Sequence, residues 1–524
     1  MTDFDALVIG AGHNGLVAAG YLARAGLNVC VVERREIVGG ACVTEDLSSE
    51  LGKQWAGMGV HTGAYVCSLF HPQIIEDLEL RQFGFELIGR EPSGLALFPE
   101  NRHLFLYPDA ERTRAELERF CPDDVESYFD FCSALERCAE LVEPFFLNPA
   151  LVEEIIRSAP ERAEQLFLER LFTASVRDLL DAYFESEELK AVLSTDGLIG
   201  TFAGPSTPGT AYVLLHHYMG RALGERALWG FVRGGMGALT RALADAVHAA
   251  GGTVRCGAAV KKILIEDDRA AGVALADGTE LRADFVLSNA DAKRTFLGLV
   301  GESHLSDDFA TRVKSIRMNG VSCKINLLVN ELPRFSCLNR KSQIANQESP
   351  YLGTIHFCPS MDYLDEAFAD ARRSAPSDNP MIECTLQSVT DPSVACNNKH
   401  VISLFTQYFP YELDEEFNLD TLRLAYADRV IKILTEYAPN LPRAILDCQV
   451  LTPRDLEARF GLTGGHIFHG ELLPDQIFER RFGPRTPVRG LYLCGSSSHP
   501  GGCVSGMPGW NAARAVLEDW RCTA

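Results

Sequence analysis

The sequence lacks any pair of cysteines in the C-x-x-C spacing, although it contains 16 cysteines. One such pair is the usual signature of a dithiol redox centre, and two such pairs are the signature of a zinc ribbon. We therefore expect neither thiol–disulfide chemistry nor a metal site. Isolated cysteines in a large chain are expected to be small buried apolar side chains in a reducing compartment.

Positive charge and long apolar runs are also scarce. The 524 residues include 49 lysines and arginines against 71 aspartates and glutamates, which gives a net charge of −22. An acidic surface repels phosphate backbones, so nucleic-acid binding is not expected. No apolar run reaches the roughly 18 residues of a membrane span, and residues 1–5 (MTDFD) carry acid where a targeting peptide carries base. We expect a cytoplasmic protein; peripheral membrane contact and homo-oligomer formation are left open.

The strongest pattern in the sequence is a glycine-rich turn between two apolar segments. Residues 6–9 (ALVI) predict a strand buried on both faces, and residues 10–15 (GAGHNG) fit the G-x-G-x-x-G pattern. A helical pattern runs on to Gly26, and residues 28–33 (NVCVVE) predict a second strand. This order predicts the first βαβ unit of a Rossmann-type dinucleotide site.

Each residue of this unit has the type that its position requires. Gly10 permits the tight turn, Gly12 lets a pyrophosphate approach the backbone, and Gly15 lets helix and strand pack closely. The amino end of the helix faces the phosphates, and Glu33 at the end of the second strand can accept a hydrogen bond from a ribose hydroxyl.

The residues that follow favour FAD over the other dinucleotides. Arg34 alone would suit the 2′-phosphate of NADP, but the neighbouring Glu33 would repel that phosphate. Residues 38–44 (VGGACVT) add a second glycine pair, which is typical of FAD proteins because the chain passes the pyrophosphate a second time.

A second glycine-rich loop lies near the carboxyl end of the chain. Residues 490–495 (GLYLCG) predict a strand that runs into a glycine, and residues 496–509 (SSSHPGGCVSGMPG) precede another helix. Such a loop offers backbone N–H groups to the ribityl-phosphate and the pyrimidine end of a flavin. His499 lies inside the loop and is the first candidate for tuning the flavin or transferring a proton.

The rest of the chain fills in the architecture. Residues 105–225 predict a helical insertion, and residues 305–480 alternate strands and helices as in a sheet-based substrate domain. The remaining three segments, 1–90, 230–300 and 485–524, predict one discontinuous FAD-binding domain, because a helix and a β-meander follow residue 230. We therefore expect an α/β protein with a glutathione-reductase-like Rossmann FAD domain, a β-sheet substrate domain and a helical insertion.

Four segments together resemble the carotenoid (phytoene) desaturase superfamily of FAD-dependent oxidoreductases: VIGAGHNGLVAAGYLARAGLNVCVVERR, VGGACVTE, FVRGGMGALTRAL and LYLCGSSSHPGGCVSGMPGWNAAR. Residues 204–220, 400–413 and 451–471 are similar to the pyridine nucleotide-disulphide oxidoreductase domain-containing protein 2 group. The resemblance runs over nearly the whole chain. It implies that FAD is held by the following residues: Gly10, Ala11, Gly12, Asn14, Gly15, Glu33, Arg34, Gly40, Ala41, Val260, Gly495, Gly502 and Val504.

The resemblance also implies an activity. We expect hydride transfer from a C–H bond of a lipophilic, isoprenoid or carotenoid-like substrate to flavin N5, with a quinone or oxygen as the electron acceptor. Two alternatives are left open: a carotenoid ketolase or isomerase on the same scaffold, and a binding or regulatory protein of the same fold without turnover.

The two insertions must close over the flavin, and pockets favour such domain interfaces. We expect a mainly apolar tunnel bordered by residues 204–217 and 464–471, with Leu214 and Phe468 in its wall and His499 at its inner end. Other histidines, His469 and the pair at 216–217, are weaker candidates for a role in the reaction.

Overall fold

The fold is known from a computed structural model, which describes residues 2–338 and 349–523. In these residues the backbone forms sixteen strands: β1 (Phe4–Ile9), β2 (Val29–Val32), β3 (Leu87–Gly89), β4 (Gly94–Phe98), β5 (Arg102–Leu106), β6 (Gly230–Val232), β7 (Thr253–Arg255), β8 (Val260–Glu266), β9 (Arg269–Leu275), β10 (Glu280–Ser288), β11 (Ser322–Val329), β12 (Thr354–Phe357), β13 (Met381–Thr385), β14 (His400–Gln407), β15 (Ile445–Leu451) and β16 (Leu491–Leu493).

The same residues form eighteen α-helices: α1 (His13–Arg24), α2 (Ser48–Leu51), α3 (Pro72–Asp77), α4 (Ala110–Phe120), α5 (Val125–Val142), α6 (Val152–Ser158), α7 (Arg162–Thr173), α8 (Val176–Asp181), α9 (Glu187–Ser194), α10 (Thr210–Tyr218), α11 (Met236–Ala249), α12 (Asp307–Lys314), α13 (Met361–Arg372), α14 (Gln387–Thr390), α15 (Leu419–Tyr437), α16 (Leu441–Ala444), α17 (Pro453–Phe460) and α18 (Met507–Thr523). A π-helical segment, Arg294–Val300, follows β10.

The first sheet joins three distant parts of the chain. Its strand order is β7-β2-β1-β10-β9-β8, with β16 also paired to β10; β7, β2, β1, β10 and β16 are parallel, and β8, β9 and β10 form an antiparallel meander. Alternate residues of β1 are buried on opposite faces, Val8 against the α1 side and Leu7 against the other. The predicted α/β class is confirmed, and the sheet draws its strands from the three segments assigned to the FAD-binding domain.

The second sheet has the order β15-β11-β14-β13-β12-β4-β5. Most of its strands come from the range 305–480 predicted for the substrate domain, but β4 and β5 come from residues 94–106. Strand β4 pairs in parallel with β12, with Leu95 opposite Ile355. The predicted boundary missed these two strands because pairing across some 260 residues leaves no local pattern in the sequence.

Helices α4 to α10 fill residues 110–218, within the range predicted as the helical insertion. The apolar periodicity predicts one helix from Ala110 to Leu141, but the structure divides it into α4 and α5. The division lies at residues 121–124, where Pro122 cannot continue the α-helical hydrogen bonds. Their buried apolar side chains, among them Phe131 and Phe167, belong to the largest apolar cluster of the described residues. In residues 2–338 and 349–523, no helix has the length and apolar character needed to cross a bilayer.

Candidate functional site

A cavity of about 350 Å³ lies at the carboxyl ends of β1 and β2 and extends to the second sheet. Ligands of parallel α/β sheets bind at this edge, because the loops there diverge and present free backbone groups. Nine residues predicted to hold the dinucleotide line the cavity: Gly10, Gly12, Asn14, Glu33, Arg34, Gly40, Ala41, Val260 and Val504.

The glycine-rich turn has a geometry that only glycine accommodates. Gly10 adopts a φ of +93°, which favours glycine. A Cβ on Gly15 would lie 2.2 Å from the carbonyl oxygen of Gly10, so α1 could not approach the end of β1 with any side chain there. The turn therefore exposes the amino end of α1 to the cavity, where it can bind an anion.

Glu33 links the two strands to this turn. Its side chain is buried, and its two oxygens accept hydrogen bonds from different backbone N–H groups, Oε2 from Ala11 at 2.8 Å and Oε1 from Arg35 at 2.9 Å. Each carboxylate oxygen keeps a further lone pair. Glu33 can therefore accept a ribose hydroxyl, while Ala11, which does not line the cavity, holds the carboxylate in place.

Arg34 is fixed on the outer side of the cavity by its own hydrogen bonds. Its guanidinium donates to the carbonyl oxygens of Ala458 and Arg459, at 3.2 and 2.7 Å. Burial, followed by the charge of Arg294, lowers the pKa of Arg34. Two N–H donors of Arg34 therefore bind carbonyl oxygens of α17, so the side chain links this helix to the rim of the cavity.

The cavity holds polar atoms that a ligand would satisfy. His13 Nε2 and Asn14 Oδ1 lie on cavity-lining residues, are shielded from solvent and have no hydrogen-bond partner among the described residues. Burial lowers the pKa of His13 to about 4, so its imidazole is neutral at pH 7. A glycine cradle, a buried acid and unpartnered polar atoms at a helix amino end fit a dinucleotide such as FAD.

Three of the predicted cofactor glycines do not line the cavity. Gly15 lies between α1 and β1. A Cβ on Gly495 would lie 2.6 Å from the carbonyl oxygen of Asn289, and a Cβ on Gly502 would lie 2.5 Å from the Cβ of Phe468. These glycines permit close packing around the site, and their direct contact with a cofactor stays a prediction.

The structure places the His499 side chain away from the cavity. His499 is buried, its Nε2 lies 2.6 Å from the carbonyl oxygen of Phe145, and its ring packs against Phe146 and Phe478 of the surrounding apolar cluster. Burial lowers its pKa to about 4. The backbone near His499 belongs to the predicted flavin loop, but the loop turns the imidazole towards the helical insertion. A role in proton transfer is not favoured by this position.

One end of the cavity is formed by side chains of the second sheet and of three loops, at residues 65, 468 and 503. Lys324 on β11 lies with its Nζ 3.9 Å from the centre of the Tyr65 ring. The ring centres of Tyr65 and Phe405 are 6.1 Å apart, and Phe468 and Cys503 complete this end. We call these five residues the inner wall. Apart from Lys324 it is aromatic or weakly polar.

Lys324 and Glu383 are the titratable groups with unusual environments here. Lys324 Nζ is buried without a hydrogen-bond partner among the described residues, and burial lowers its pKa to about 7. Glu383, behind the wall on β13, accepts a 2.9 Å hydrogen bond from the Tyr65 hydroxyl. Burial, followed by the charge of Asp196, raises the pKa of Glu383 to about 7. Both groups can exchange protons near neutral pH.

The sequence analysis assigned no role to Lys324, Tyr65 or Glu383. The sequence did contain a signal for Lys324, which is the only charged residue of β11, a strand whose residues are all buried. A lysine is rarely buried without a function or a partner. Glu383 carries the same signal as the only charged residue of β13, a strand that is also buried throughout. Tyr65 lies in a loop and carries no such signal.

Only one of the two segments predicted to border the substrate tunnel lines the cavity. Ile467, Phe468 and His469 from the segment 464–471 line the cavity, whereas no residue of 204–217 does. Leu214 and its neighbours in α10 are buried in the core of the helical insertion instead. The apolar periodicity of α10 thus reflects packing within the insertion.

Known proteins share this architecture over its full length. The profile of the family described as flavin containing amine oxidoreductase matches residues 15–385. The chain is 38% identical to pyridine nucleotide-disulfide oxidoreductase domain-containing protein 2 of Rattus norvegicus, over 99% of this chain and 94% of the relative. It is 27% identical to phytoene desaturase (lycopene-forming) of Pseudescherichia vulneris, over 98% of each.

A solved structure has the same fold at low identity. Cyclohexylamine oxidase from Brevibacterium oxydans superposes with a TM-score of 0.61 at 17% identity, and the match covers 99% of this chain and 100% of that one. With the glycine cradle and the buried Glu33, these matches indicate FAD as the cofactor. The chain is thus an FAD-dependent oxidoreductase and belongs to the flavin containing amine oxidoreductase family.

Proposed function

We propose that this oxidoreductase dehydrogenates a lipophilic, isoprenoid-like substrate at the inner wall. Bound FAD supplies the acceptor, since flavin N5 takes a hydride from a substrate C–H bond. The observation that carries the proposal is the position of Lys324 in an otherwise aromatic and apolar wall. Lys324 can change its protonation state, and the aromatic side chains around it provide a surface suited to a hydrocarbon.

Lys324 can remove the proton that dehydrogenation releases. Forming a C=C bond from two C–H bonds removes one hydride and one proton, so a base is required on the substrate side. With a pKa of about 7, Lys324 is partly neutral at physiological pH and can accept this proton. The Tyr65 ring lies beside Lys324 and offers its electron-rich face to the ammonium that forms. The Tyr65 hydroxyl donates a hydrogen bond to Glu383.

The wall favours a neutral hydrocarbon over an amine. Phe405 and Phe468 offer apolar contacts, as does Ile467 elsewhere in the cavity lining, whereas a protonated amine would bring a second cation close to Lys324. The similarity to an enzyme that, by its name, desaturates phytoene to form lycopene supports the same substrate class. Lipophilic character and proton removal by Lys324 are the two parts of the proposal.

The test is anaerobic reduction of the flavin in the purified holoenzyme. The holoenzyme is mixed with isoprenoid hydrocarbons and alcohols in one series and with primary amines and polyamines in another, and the loss of flavin absorbance is recorded. We expect bleaching by members of the isoprenoid series only. Bleaching by amines alone would overturn the proposed substrate class.

The role of Lys324 is tested with the isoprenoid that bleaches the flavin fastest. In the wild type, the reduction rate should rise with pH through about 7, because deprotonation of Lys324 creates the base. Lys324→Met should slow reduction by about 10²–10⁴-fold and remove this pH dependence. Lys190→Met is the matched control, since Lys190 is equally buried but is paired with Asp181 and Glu187 in the helical insertion. An unchanged pH profile in Lys324→Met would contradict the assignment.

A further inference from the structure

A second cavity, of about 260 Å³, lies directly behind the cofactor cavity. Its lining includes residues 469–470 and Ser497. It is lined by residues of α12 and its end and by residues 475–482. None of the predicted cofactor residues lines it, and of the predicted tunnel segment 464–471 only residues 469–470 do. We call it the rear cavity.

His469 separates the two cavities, because it lines both of them. It adopts a left-handed φ of +55°, which is uncommon for a residue other than glycine. The carbonyl oxygen of His469 accepts a 3.0 Å hydrogen bond from Ser497, whose neighbour Ser496 lines the cofactor cavity. His469 Nδ1 is shielded from solvent without a hydrogen-bond partner among the described residues. The imidazole of His469 therefore forms part of the partition between the two cavities. Among the described residues, no hydrogen bond at Nδ1 fixes the orientation of its ring.

The charged residues that line the rear cavity are mainly positive, whereas the net charge of the protein is negative. Four arginines, Arg312, Arg317, Arg480 and Arg481, face one aspartate, Asp475, in a chain of net charge −22. Only Arg317 is paired with that aspartate. A local positive field on an acidic protein attracts small anions to this opening.

Two of these arginines have no carboxylate contact among the described residues. Arg312 donates to the carbonyl oxygen of Arg480 and lies 4.5 Å from the centre of the Phe482 ring. Arg481 is buried, and its guanidinium donates to backbone carbonyl oxygens, including those of Phe468 and Ser496. The charge of Arg312 therefore stays available to an anion in the cavity. The nitrogens of Arg481 all donate to backbone carbonyl oxygens, so this side chain contributes only its charge.

We propose that the rear cavity is the entry route of an anionic electron acceptor, such as a quinone with an acidic substituent, and that His469 is the movable partition between it and the cofactor. The acceptor thereby approaches without passing the inner wall where the substrate lies. The chemistry balances: the quinone takes two electrons and one proton from the reduced cofactor and a second proton from water, so both of its carbonyl oxygens become hydroxyls.

The test uses reoxidation and needs no substrate, so its failure is distinguishable from failure of the proposed function. The flavin of the holoenzyme is reduced by light under anaerobic conditions and mixed with a naphthoquinone sulfonate or with the uncharged parent naphthoquinone. We expect Arg312→Ala to slow reoxidation by the sulfonate about tenfold at low salt and to leave the rate with the uncharged quinone within about twofold. The effect should shrink as salt is added, because screening weakens the attraction.

A matched control and a second readout make the outcome specific. Arg454→Ala removes an exposed arginine that also donates to a backbone carbonyl and lies over an aromatic ring, that of Tyr411, but lines neither cavity. It should have no effect. Calorimetric titration of the oxidised holoenzyme with the sulfonate should show about fivefold weaker binding in Arg312→Ala than in Arg454→Ala.

His469 is tested by a residue that accepts its backbone conformation. Asparagine tolerates a left-handed φ and is smaller than histidine, so His469→Asn should open the partition and speed reoxidation by both quinones. Equal reoxidation rates and equal sulfonate binding in Arg312→Ala and Arg454→Ala would overturn the route. Unchanged rates in His469→Asn would overturn the partition.

Discussion

The ammonium of Lys324 lies over the face of the Tyr65 ring, and the Tyr65 hydroxyl donates its hydrogen bond to Glu383. A buried lysine is thus held by an aromatic ring in place of a carboxylate contact. The negative face of the ring offsets part of the cost of burying the charge. The part that is not offset lowers the pKa of Lys324. Lys324 can therefore accept a proton near neutral pH, but its buried charge lowers the stability of the fold.

Replacing Lys324 by methionine should stabilise the fold. The pKa of this lysine is about 7 in the folded protein and 10.5 in the reference state. The unfolded chain therefore binds more protons between these values, and the penalty is greatest below pH 7 and fades as the pH rises towards about 10.5. We expect Lys324→Met to raise the free energy of unfolding by about 1–4 kcal/mol at pH 6 and much less at pH 10. Chemical denaturation at both pH values checks this, and equal gains would contradict the buried charge.

Glu33→Gln should weaken FAD binding without unfolding the protein. Glutamine offers one acceptor oxygen where Glu33 accepts from two backbone N–H groups, and its amide would face one of those donors. We expect a loss of about tenfold to a hundredfold in affinity, from hydrogen bonds to a charged group. The measurement is fluorescence titration of apoprotein with FAD. Glu36→Gln, at an exposed position nearby, is the control and should bind FAD normally.

Gly15→Ala should disrupt the turn at the end of β1. The added Cβ would lie 2.2 Å from the carbonyl oxygen of Gly10, so the helix must move away from the strand. We expect a loss of at least about 1–3 kcal/mol in stability and a low flavin content after purification. Gly298→Ala serves as the comparison, because no atom lies within 4 Å of its added Cβ. Normal flavin content in Gly15→Ala would show that the turn is not required.

A comparison of Phe468 with Leu214 tests the cavity wall separately from the apolar core behind it. Both side chains are buried in the same apolar cluster, but only Phe468 lines the cofactor cavity. Phe468→Ala and Leu214→Ala should each cost about 2–5 kcal/mol in stability, measured by thermal unfolding. Only Phe468→Ala should raise KM for the isoprenoid that bleaches the flavin. A raised KM in Leu214→Ala alone would return the substrate path to residues 204–217.

The nucleotide half of this protein could be predicted from the sequence because its determinants are local. The strand, the glycine turn and Glu33 lie within about thirty residues, and each residue type is dictated by backbone conformation or by its immediate neighbours. The α/β class and the helical insertion follow from the periodicity of apolar residues for the same reason.

The assembly of the inner wall, by contrast, was decided by tertiary structure. Tyr65 and Glu383 are 318 residues apart, and β4 joins the second sheet beside a strand that starts at Thr354. The position of His499 in the predicted flavin loop suggested a role beside the cofactor, but the loop turns its ring into the helical insertion. Side-chain direction and pairing between distant strands depend on the packing of the whole chain, and no local pattern encodes them.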